Sequence, residues 1–453
     1  MLKNNDIIEV EITDLTKDAM GVGHYDGLAV FVANAVPGDI VNAKITKVKP
    51  TLAYAQISSF NRKSSERQTP PCPAFDSCGG CQLMHMKYEA QINLKKKFIF
   101  DALTRIGNVP ENIKIDMISA VSPLNYRNKM VFPIGNDKKG SPVCGFYKIK
   151  SHDIVPLNDC PLGIVKNDKI IKTILEYMNK YKITVYDEKT GKGLLRRLFI
   201  RHGINKNETM VVISANAKSI PHEREITDSL LNAEKSIKSI ILNINTKQTN
   251  LVLGSDNKVL WGNPVIHDTL CGFEYEISPH SFFQINPAQT EKLYDKAIEY
   301  ADIQKDETVL DLYCGIGTIS LAASKYAKNV VGVEIVPEAI ENAKKNALKN
   351  NITNCTFLAG KAEDIAPKLI KDNLSPQKVI LDPPRKGSDE KTLAAICSTS
   401  PKSIVYVSCN PATLARDIKF VSELGYKVEK VTGVDMFPNT IHVECVVLMS
   451  RTE

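Results

Sequence analysis

No stretch of about eighteen uncharged apolar residues occurs in this chain, so no membrane-spanning helix is expected. The opening residues MLKNNDIIEV carry no apolar run behind the lysine, which excludes a signal peptide and points to the cytoplasm. Internal repeats and low-complexity tracts are also absent, which excludes a repeat array. Arginine is missing from residues 1–60, where five lysines stand against seven acidic residues. Residues 61–130 hold eleven Lys and Arg against six acidic residues. Any phosphate-binding surface is therefore expected to begin after the first sixty residues. The net charge of +7 is compatible with a nucleic-acid partner but not sufficient for one.

What is present is ordinary globular material. The 453 residues are 43% hydrophobic and 24% charged, enough for about two to four domains. Eleven cysteines in a reducing compartment argue for metal binding or catalysis before disulfides. Residues 1–60 alternate in short strands broken by Gly21, Gly23, Gly27 and Pro37-Gly38-Asp39, a pattern that suggests a small β-barrel of the oligonucleotide-binding kind. A polar linker ending in Pro70-Pro71 follows. Residues 61–280 read as an α+β middle domain with a cysteine cluster, of which 84–123 can pack on the next domain. Residues 281–453 alternate apolar strands with amphipathic helices, the texture of a Rossmann-like α/β domain.

Three motifs in that last domain carry chemistry. VLDLYCGIGTIS combines an apolar strand, Asp311 and Gly315-x-Gly317 at a helix start. Glycines there let the backbone approach a ligand closely. Glu334 ends the next strand, placed to accept hydrogen bonds from ribose hydroxyls. A dinucleotide fingerprint wants a third glycine where Ser320 stands, which favours adenosylmethionine over NAD. Asp382-Pro383-Pro384-Arg385 follows the strand KVIL and sets a carboxylate at the sheet edge on a stiffened turn. Finally, Cys409 in VSCNPATLARD ends an apolar strand, and Glu444 is an acid in an otherwise apolar late strand.

A methyl donor and a cysteine on neighbouring strand ends suit one reaction. A thiolate adding to carbon 6 of uracil turns carbon 5 into a nucleophile for the methyl group. A general base must then take the carbon 5 proton, and a buried carboxylate such as Glu444 has the raised pKa for it. The target base must be flipped out to reach a buried thiol. Elsewhere, Cys72, Cys78 and Cys81 lie close together, with Cys160 distant and Cys144 a rival fourth ligand. Four thiols suit zinc or an iron–sulfur cluster equally on spacing alone. Tyr126-Arg127-Asn128-Lys129, the run Arg196, Arg197 and Arg201, and Lys95, Lys96 and Lys97 are candidate RNA contacts.

DPPR, SCNP and HVE in this order, with SFFQIN, DLYCGIGT and the cysteine cluster, resemble the RNA uracil-5-methyltransferase family. The likeness is strongest to its branch with a TRAM domain and an iron–sulfur cluster, which acts on 23S ribosomal RNA, and it spans nearly the whole chain. The resemblance implies Cys409 as nucleophile and Glu444 as base. It implies that Gln284, Tyr313, Gly315, Glu334 and Asp382 hold S-adenosyl-L-methionine or the target base, with Phe282, Arg127 and Lys129 on the substrate side. It also implies a [4Fe–4S] cluster on Cys72, Cys78, Cys81 and Cys160, zinc being the alternative, and a monomer bound to an unpaired RNA loop. The rival functions are a transfer RNA uracil-5-methyltransferase, an amino-group methyltransferase of DNA or protein, which needs no nucleophile, and a non-catalytic RNA-binding assembly factor.

Overall fold

The alternation of buried and exposed side chains shapes the first sixty residues. In the computed structural model, which describes every residue except 1, 150, 158, 165–166, 250, 372–374 and 453, these residues form a six-stranded sheet. Val41, Ala43 and Ile45 of strand Ile40–Lys49 point inward onto Val30, Val32, Ala53 and Ala55. The sheet curls until strands Ile7–Glu11 and Gly21–Tyr25 meet. Glycine makes that contact possible, because a Cβ on Gly23 would overlap Val10.

A seven-stranded sheet follows, running from Ile154–Pro156 at one edge to Asp256–Gly262 at the other. Strands Glu208–Ala215 and Ile237–Ile244 are parallel neighbours, joined through helix Glu223–Ala233. That helix and helix Asn167–Lys180 cover one face, burying Ile170, Ile171, Ile174 and Leu230. The central strand Leu195–Gly203 is buried at every position. This corrects the expectation for Arg196, Arg197 and Arg201. Arg196 donates to the carbonyls of Asn245, Lys247 and Thr249. Arg197 reaches the Leu251 carbonyl and Glu188, and Arg201 reaches the carbonyls of Ser278 and Ser281. Buried and bonded to these loop carbonyls, the three guanidinium groups hold loops instead of facing a phosphate.

The C-terminal sheet has eight strands. Their order is Cys355–Ala359, Asn329–Glu334, Thr308–Leu312, Lys378–Leu381, Ser403–Ser408, Glu444–Arg451, Tyr426–Val434 and Ile115–Ile118. The first five are parallel, and Glu444–Arg451 is inserted antiparallel beside Ser403–Ser408. Apolar clusters pack on both faces. The last strand comes from the 84–123 stretch and runs parallel to Tyr426–Val434, while helix Tyr88–Arg105 packs on helix Pro411–Glu423. Lys95 of that first helix is fully buried and pairs with Asp435 at 2.6 Å. Burial lowers its pKa and the Asp435 charge opposes that. Lys95 is therefore a structural cation and not the electrostatic attractor expected from sequence. Lys97 is exposed but ties Asp14 of the first sheet at 3.0 Å, which leaves Lys96 as the uncommitted member of the trio. No helix among the described residues is long and apolar enough to cross a membrane.

Candidate active site

The Asn-Pro pair after Cys409 has a local cause. Strand Ser403–Ser408 ends one residue before the cysteine. Asn410 then caps helix Pro411–Glu423, its side chain accepting from Ala412 N at 3.1 Å, with Pro411 in the first turn. Cys409 is thereby held in the single-residue turn between strand and helix. Asn410 also donates to the Arg385 carbonyl at 3.2 Å, and so does the Thr413 hydroxyl at 3.2 Å. These bonds lock the Asp-Pro-Pro-Arg turn against the cysteine turn. Strand register does the rest. Leu381 pairs with Tyr406, so Asp382 and Cys409 leave adjacent strands at the same edge. Ser408 pairs with Cys445, so one further step sets Cys409 opposite Glu444.

Cys409, Glu444 and the Asp382-to-Arg385 turn line one cavity of about 1210 Å³ at the C-terminal edge of the parallel strands. Cys409, Glu444, Asp382, Gln284, Tyr313, Gly315, Glu334 and Phe282 are all in its wall. Arg127 and Lys129 are not among the lining residues. Phe282 is 67% exposed at the wall, whereas its neighbour Phe283 is in the core against Tyr275. Tyr313 has φ of 63° and donates to or accepts from Ser388 at 2.9 Å. A left-handed tyrosine is strained, and strain of this kind collects at binding turns. Glu334 accepts from Gly315 N at 3.3 Å and from Val336 N at 3.0 Å. Gly315 also has a positive φ, of 54°, and a Cβ there would project into open space. The turn therefore keeps a cleft clear beside an acid, which fits a nucleoside with a ribose edge. Ser320, at the missing glycine, hydrogen-bonds the buried Asp311 at 2.5 Å.

The most buried charged groups of the cavity wall are the carboxylates Asp382 and Glu444, with Asp311 buried near Asp382. Burial pushes Asp311 and Asp382 up to about 7. Burial also raises Glu444 well above the usual carboxylate range, and the Asp382 charge raises it further while Arg385 opposes. The Cys409 thiol is pushed up to about 11, first by burial and then by Glu444 and Asp382, with Arg385 again opposing. The resting cysteine is thus a thiol beside a carboxylate of raised proton affinity, with one exposed cation working against both shifts. Arg385 was visible in the sequence only as part of a turn. His442 of the HVE motif lines the cavity too, as do Ser388 and Arg416, which carried no sequence signal.

The Tyr-Arg-Asn-Lys segment divides by alternation. Tyr126 and Asn128 point inward. Tyr126 donates to the Pro438 carbonyl, and Asn128 donates to the Gln284 carbonyl at 2.9 Å, fixing the Phe282-to-Gln284 turn. Arg127 and Lys129 are half-buried on the other side. Lys129 is lowered to about 8 by burial and by Arg201 and Arg127. Arg127 also depresses the pKa of His442, after burial, Arg385 and Lys95, and lowers that of Cys81. It therefore stands between the cavity and the cysteine cluster.

Cys72, Cys81 and Cys160 share one apolar cluster with Phe75, Met84 and Tyr126. Cys81 is pushed up to about 12 by burial and then by Cys160, Cys78 and Cys72. The four cysteines expected to act together are thus neighbours, and as soft donors they suit a tetrathiolate centre. Among the described residues, however, no group of three or more His, Cys, Asp or Glu side chains is arranged to hold a metal ion. Cys144 is buried separately in the core of the seven-stranded sheet.

Comparison with known proteins shows the family. The tRNA (Uracil-5-)-methyltransferase family profile matches residues 172–452, and the TRAM domain profile matches residues 2–58. The chain is 43% identical to an uncharacterized RNA methyltransferase of Bacillus cereus, over 100% of this chain and 98% of that protein. It is 44% identical to another from Clostridium acetobutylicum, over 100% and 98%. Among solved structures it resembles the Pyrococcus abyssi tRNA (uracil-54, C5)-methyltransferase in complex with S-adenosyl-L-homocysteine. The TM-score is 0.77 and the identity 27%, covering 98% of this chain and 100% of that one.

The opposing action of Arg385 gives a direct test. Arg385→Ala removes the cation, raises the Cys409 pKa further and lowers the thiolate fraction at pH 8. Iodoacetamide labelling of the Cys409 peptide, followed by mass spectrometry, should slow about two- to fivefold, the scale of a screened surface charge. An unchanged rate would mean that Arg385 does not tune the thiol.

Proposed function

The chain belongs to the RNA uracil-5-methyltransferase family, as an S-adenosyl-L-methionine-dependent RNA methyltransferase with a TRAM domain, and from that premise we propose that it methylates carbon 5 of uridine in 23S ribosomal RNA through a covalent Cys409 adduct. The observation that carries the reading is the strand register that sets Cys409 opposite Glu444 beside Asp382 in one cavity. S-adenosyl-L-methionine, held by Gln284, Tyr313, Gly315 and Glu334, supplies an electrophilic methyl group. Asp382 orients the flipped uracil, and Phe282 lies against it. Arg127 and Lys129 take neighbouring phosphates outside the cavity wall.

Cys409 Sγ bonds to carbon 6 of uracil as its proton is released to solvent at the cavity mouth, which leaves Glu444 ionised, and the electron pair of the 5,6 double bond moves toward oxygen 4. Carbon 5 is then nucleophilic and accepts the methyl group. Glu444 removes the proton left on carbon 5. The double bond re-forms as the Sγ–carbon 6 bond breaks, and Cys409 leaves as a thiolate that is reprotonated. The raised pKa values suit both halves, since the cavity must hold a proton near neutrality and then give it up.

The Cys72, Cys78, Cys81 and Cys160 group we assign, on donor chemistry, to an iron–sulfur cluster that joins the linker to the seven-stranded sheet, with zinc as the alternative. Anaerobically purified protein should carry about four iron and four acid-labile sulfide per chain. Zinc without sulfide would assign zinc, and neither would make the thiols ordinary core.

A second substrate reading has its own support. The Pyrococcus abyssi relative is a tRNA enzyme and matches this chain over almost its full length, so domain plan alone does not separate the two RNAs. A covalent trap separates them. RNA carrying 5-fluorouridine cannot lose a proton from carbon 5, so a Cys409 adduct should survive denaturation. The expected result is a denaturation-resistant complex with 23S fragments that is absent in Cys409→Ala. A complex with transfer RNA alone would reassign the substrate. No complex with either, despite intact cofactor binding, would contradict the thiol mechanism.

A further inference from the structure

Ser388 and Arg416 stand in the cavity wall, and both lead to one buried acid behind it. Asp417, on helix Pro411–Glu423, is 2% exposed and is not among the lining residues. One of its carboxylate oxygens accepts from Arg416 Nε at 2.8 Å and from Arg416 Nη2 at 2.6 Å. The other accepts from the Ser388 backbone N–H at 2.8 Å and from the Tyr406 hydroxyl. Tyr406 is itself fully buried on strand Ser403–Ser408, in register with Leu381.

The loop that carries Arg385 is built on the same helix. Asn410 and Thr413 donate to the Arg385 carbonyl, and Arg416 donates to the carbonyls of Lys386 and Ser388 at 3.0 and 3.2 Å. Asn410, Thr413, Arg416 and Asp417 recur at three- and four-residue spacing, so they share one side of the first turns of the helix. Glycine makes the close approach possible. Gly387 has φ of 79°, and a Cβ there would stand 2.5 Å from the Asp417 carboxylate. The backbone groups of an irregular loop need partners, and the helix that follows Cys409 supplies them. From Ser388 the contact continues to the cofactor turn, because its buried hydroxyl bonds the Tyr313 hydroxyl at 2.9 Å.

We propose that Asp417 is a positioning residue for methyl transfer, acting through Ser388. It fixes the backbone of the 385–388 loop. The Ser388 hydroxyl then holds the Tyr313 ring at the cofactor cleft, and Arg385 stays where its charge opposes the rise in the Cys409 pKa. The hydroxyl bond removes rotamers that the ring would otherwise sample in an open cleft. One carboxylate thereby sets the cofactor turn and the nucleophile turn in a common frame. The inference rests on the reading that Tyr313 holds S-adenosyl-L-methionine and Cys409 attacks uracil, and it adds the residues that keep the two in register.

The test is isothermal titration calorimetry of the full chain with S-adenosyl-L-homocysteine. Ser388→Ala removes only a hydroxyl and keeps the N–H that Asp417 accepts. Ser388→Ala and Tyr313→Phe should each weaken binding about fivefold, the scale of one hydrogen bond. The double variant should also lose about fivefold, and not the product of about twenty-five-fold, because both changes remove the same bond. Asp417→Asn should weaken binding about tenfold, the scale of a bond to a charged group. It should also slow iodoacetamide labelling of the Cys409 peptide, with no added slowing when Arg385→Ala is already present. Wild-type affinity in Ser388→Ala, or losses that multiply in the double variant, would overturn the bridge. Unchanged affinity and labelling in Asp417→Asn would overturn the role of Asp417. The serine and tyrosine variants stay informative if Asp417→Asn fails to fold. A wild type that binds no S-adenosyl-L-homocysteine would remove the cofactor reading and the positioning role with it. A wild type that binds, with losses that multiply, would remove the positioning role alone.

Discussion

The antiparallel ladder between Ser403–Ser408 and Glu444–Arg451 fixes the arrangement of the candidate active site. In a purely parallel sheet, every strand brings its C-terminal end to the ligand edge. Here the last strand enters from that edge, so its first residue, Glu444, arrives where its neighbour has just ended. A one-residue slip would turn Glu444 away and set Cys445 in its place. Burial on both faces of the sheet forbids the slip, since Val446, Val447 and Met449 are all inaccessible.

That ladder is held from outside by Asp435. The segment from Asp435 to Val443 carries the chain into Glu444. Lys95 Nζ bonds Asp435 at 2.6 Å and the Phe437 carbonyl at 3.0 Å, and the Tyr88 hydroxyl bonds Asp435 at 2.8 Å. Gln91 and Asn439 bind each other, Gln289 and Asn286 donate to the carbonyls of Asp435 and Met436, and Tyr126 donates to that of Pro438. Three separate parts of the sequence therefore meet on the nine residues 435–443. Removing one partner of a buried pair such as Lys95–Asp435 typically costs about 3–5 kcal/mol, because the other charge is left uncompensated. The first helix belongs energetically with the catalytic sheet, although it follows the cysteine linker in the chain.

Residues whose role is set by a local turn were legible in the sequence. Cys409 before Asn-Pro, Asp382 before Pro-Pro and Gly315 at a strand-to-helix turn each announce a strand end, and strand ends in this fold converge. Glu444 was legible as an acid in an apolar run. Roles set by distant carbonyls were not legible. Nothing near Arg196 or Arg201 shows that the carbonyls of Asn245, Lys247 and Thr249, and of Ser278 and Ser281, will take their donors. Nothing in the lysine-rich helix shows that Lys95 alone turns inward toward a residue 340 positions away. Net charge also hides the pairing in the barrel, where Glu11, Asp14 and Asp39 are each taken by a cation from beyond residue 60.

The central claim is that Glu444 completes a reaction begun by Cys409. It is tested most directly with substrate RNA tritiated at carbon 5 of uridine, by following tritium release and methyl incorporation in the same single turnover. In Glu444→Gln the account predicts methylated RNA held on the protein with little tritium released, while the wild type releases both tritium and free RNA. Tritium release at the wild-type rate in Glu444→Gln would contradict it and assign proton removal to another group in the cavity.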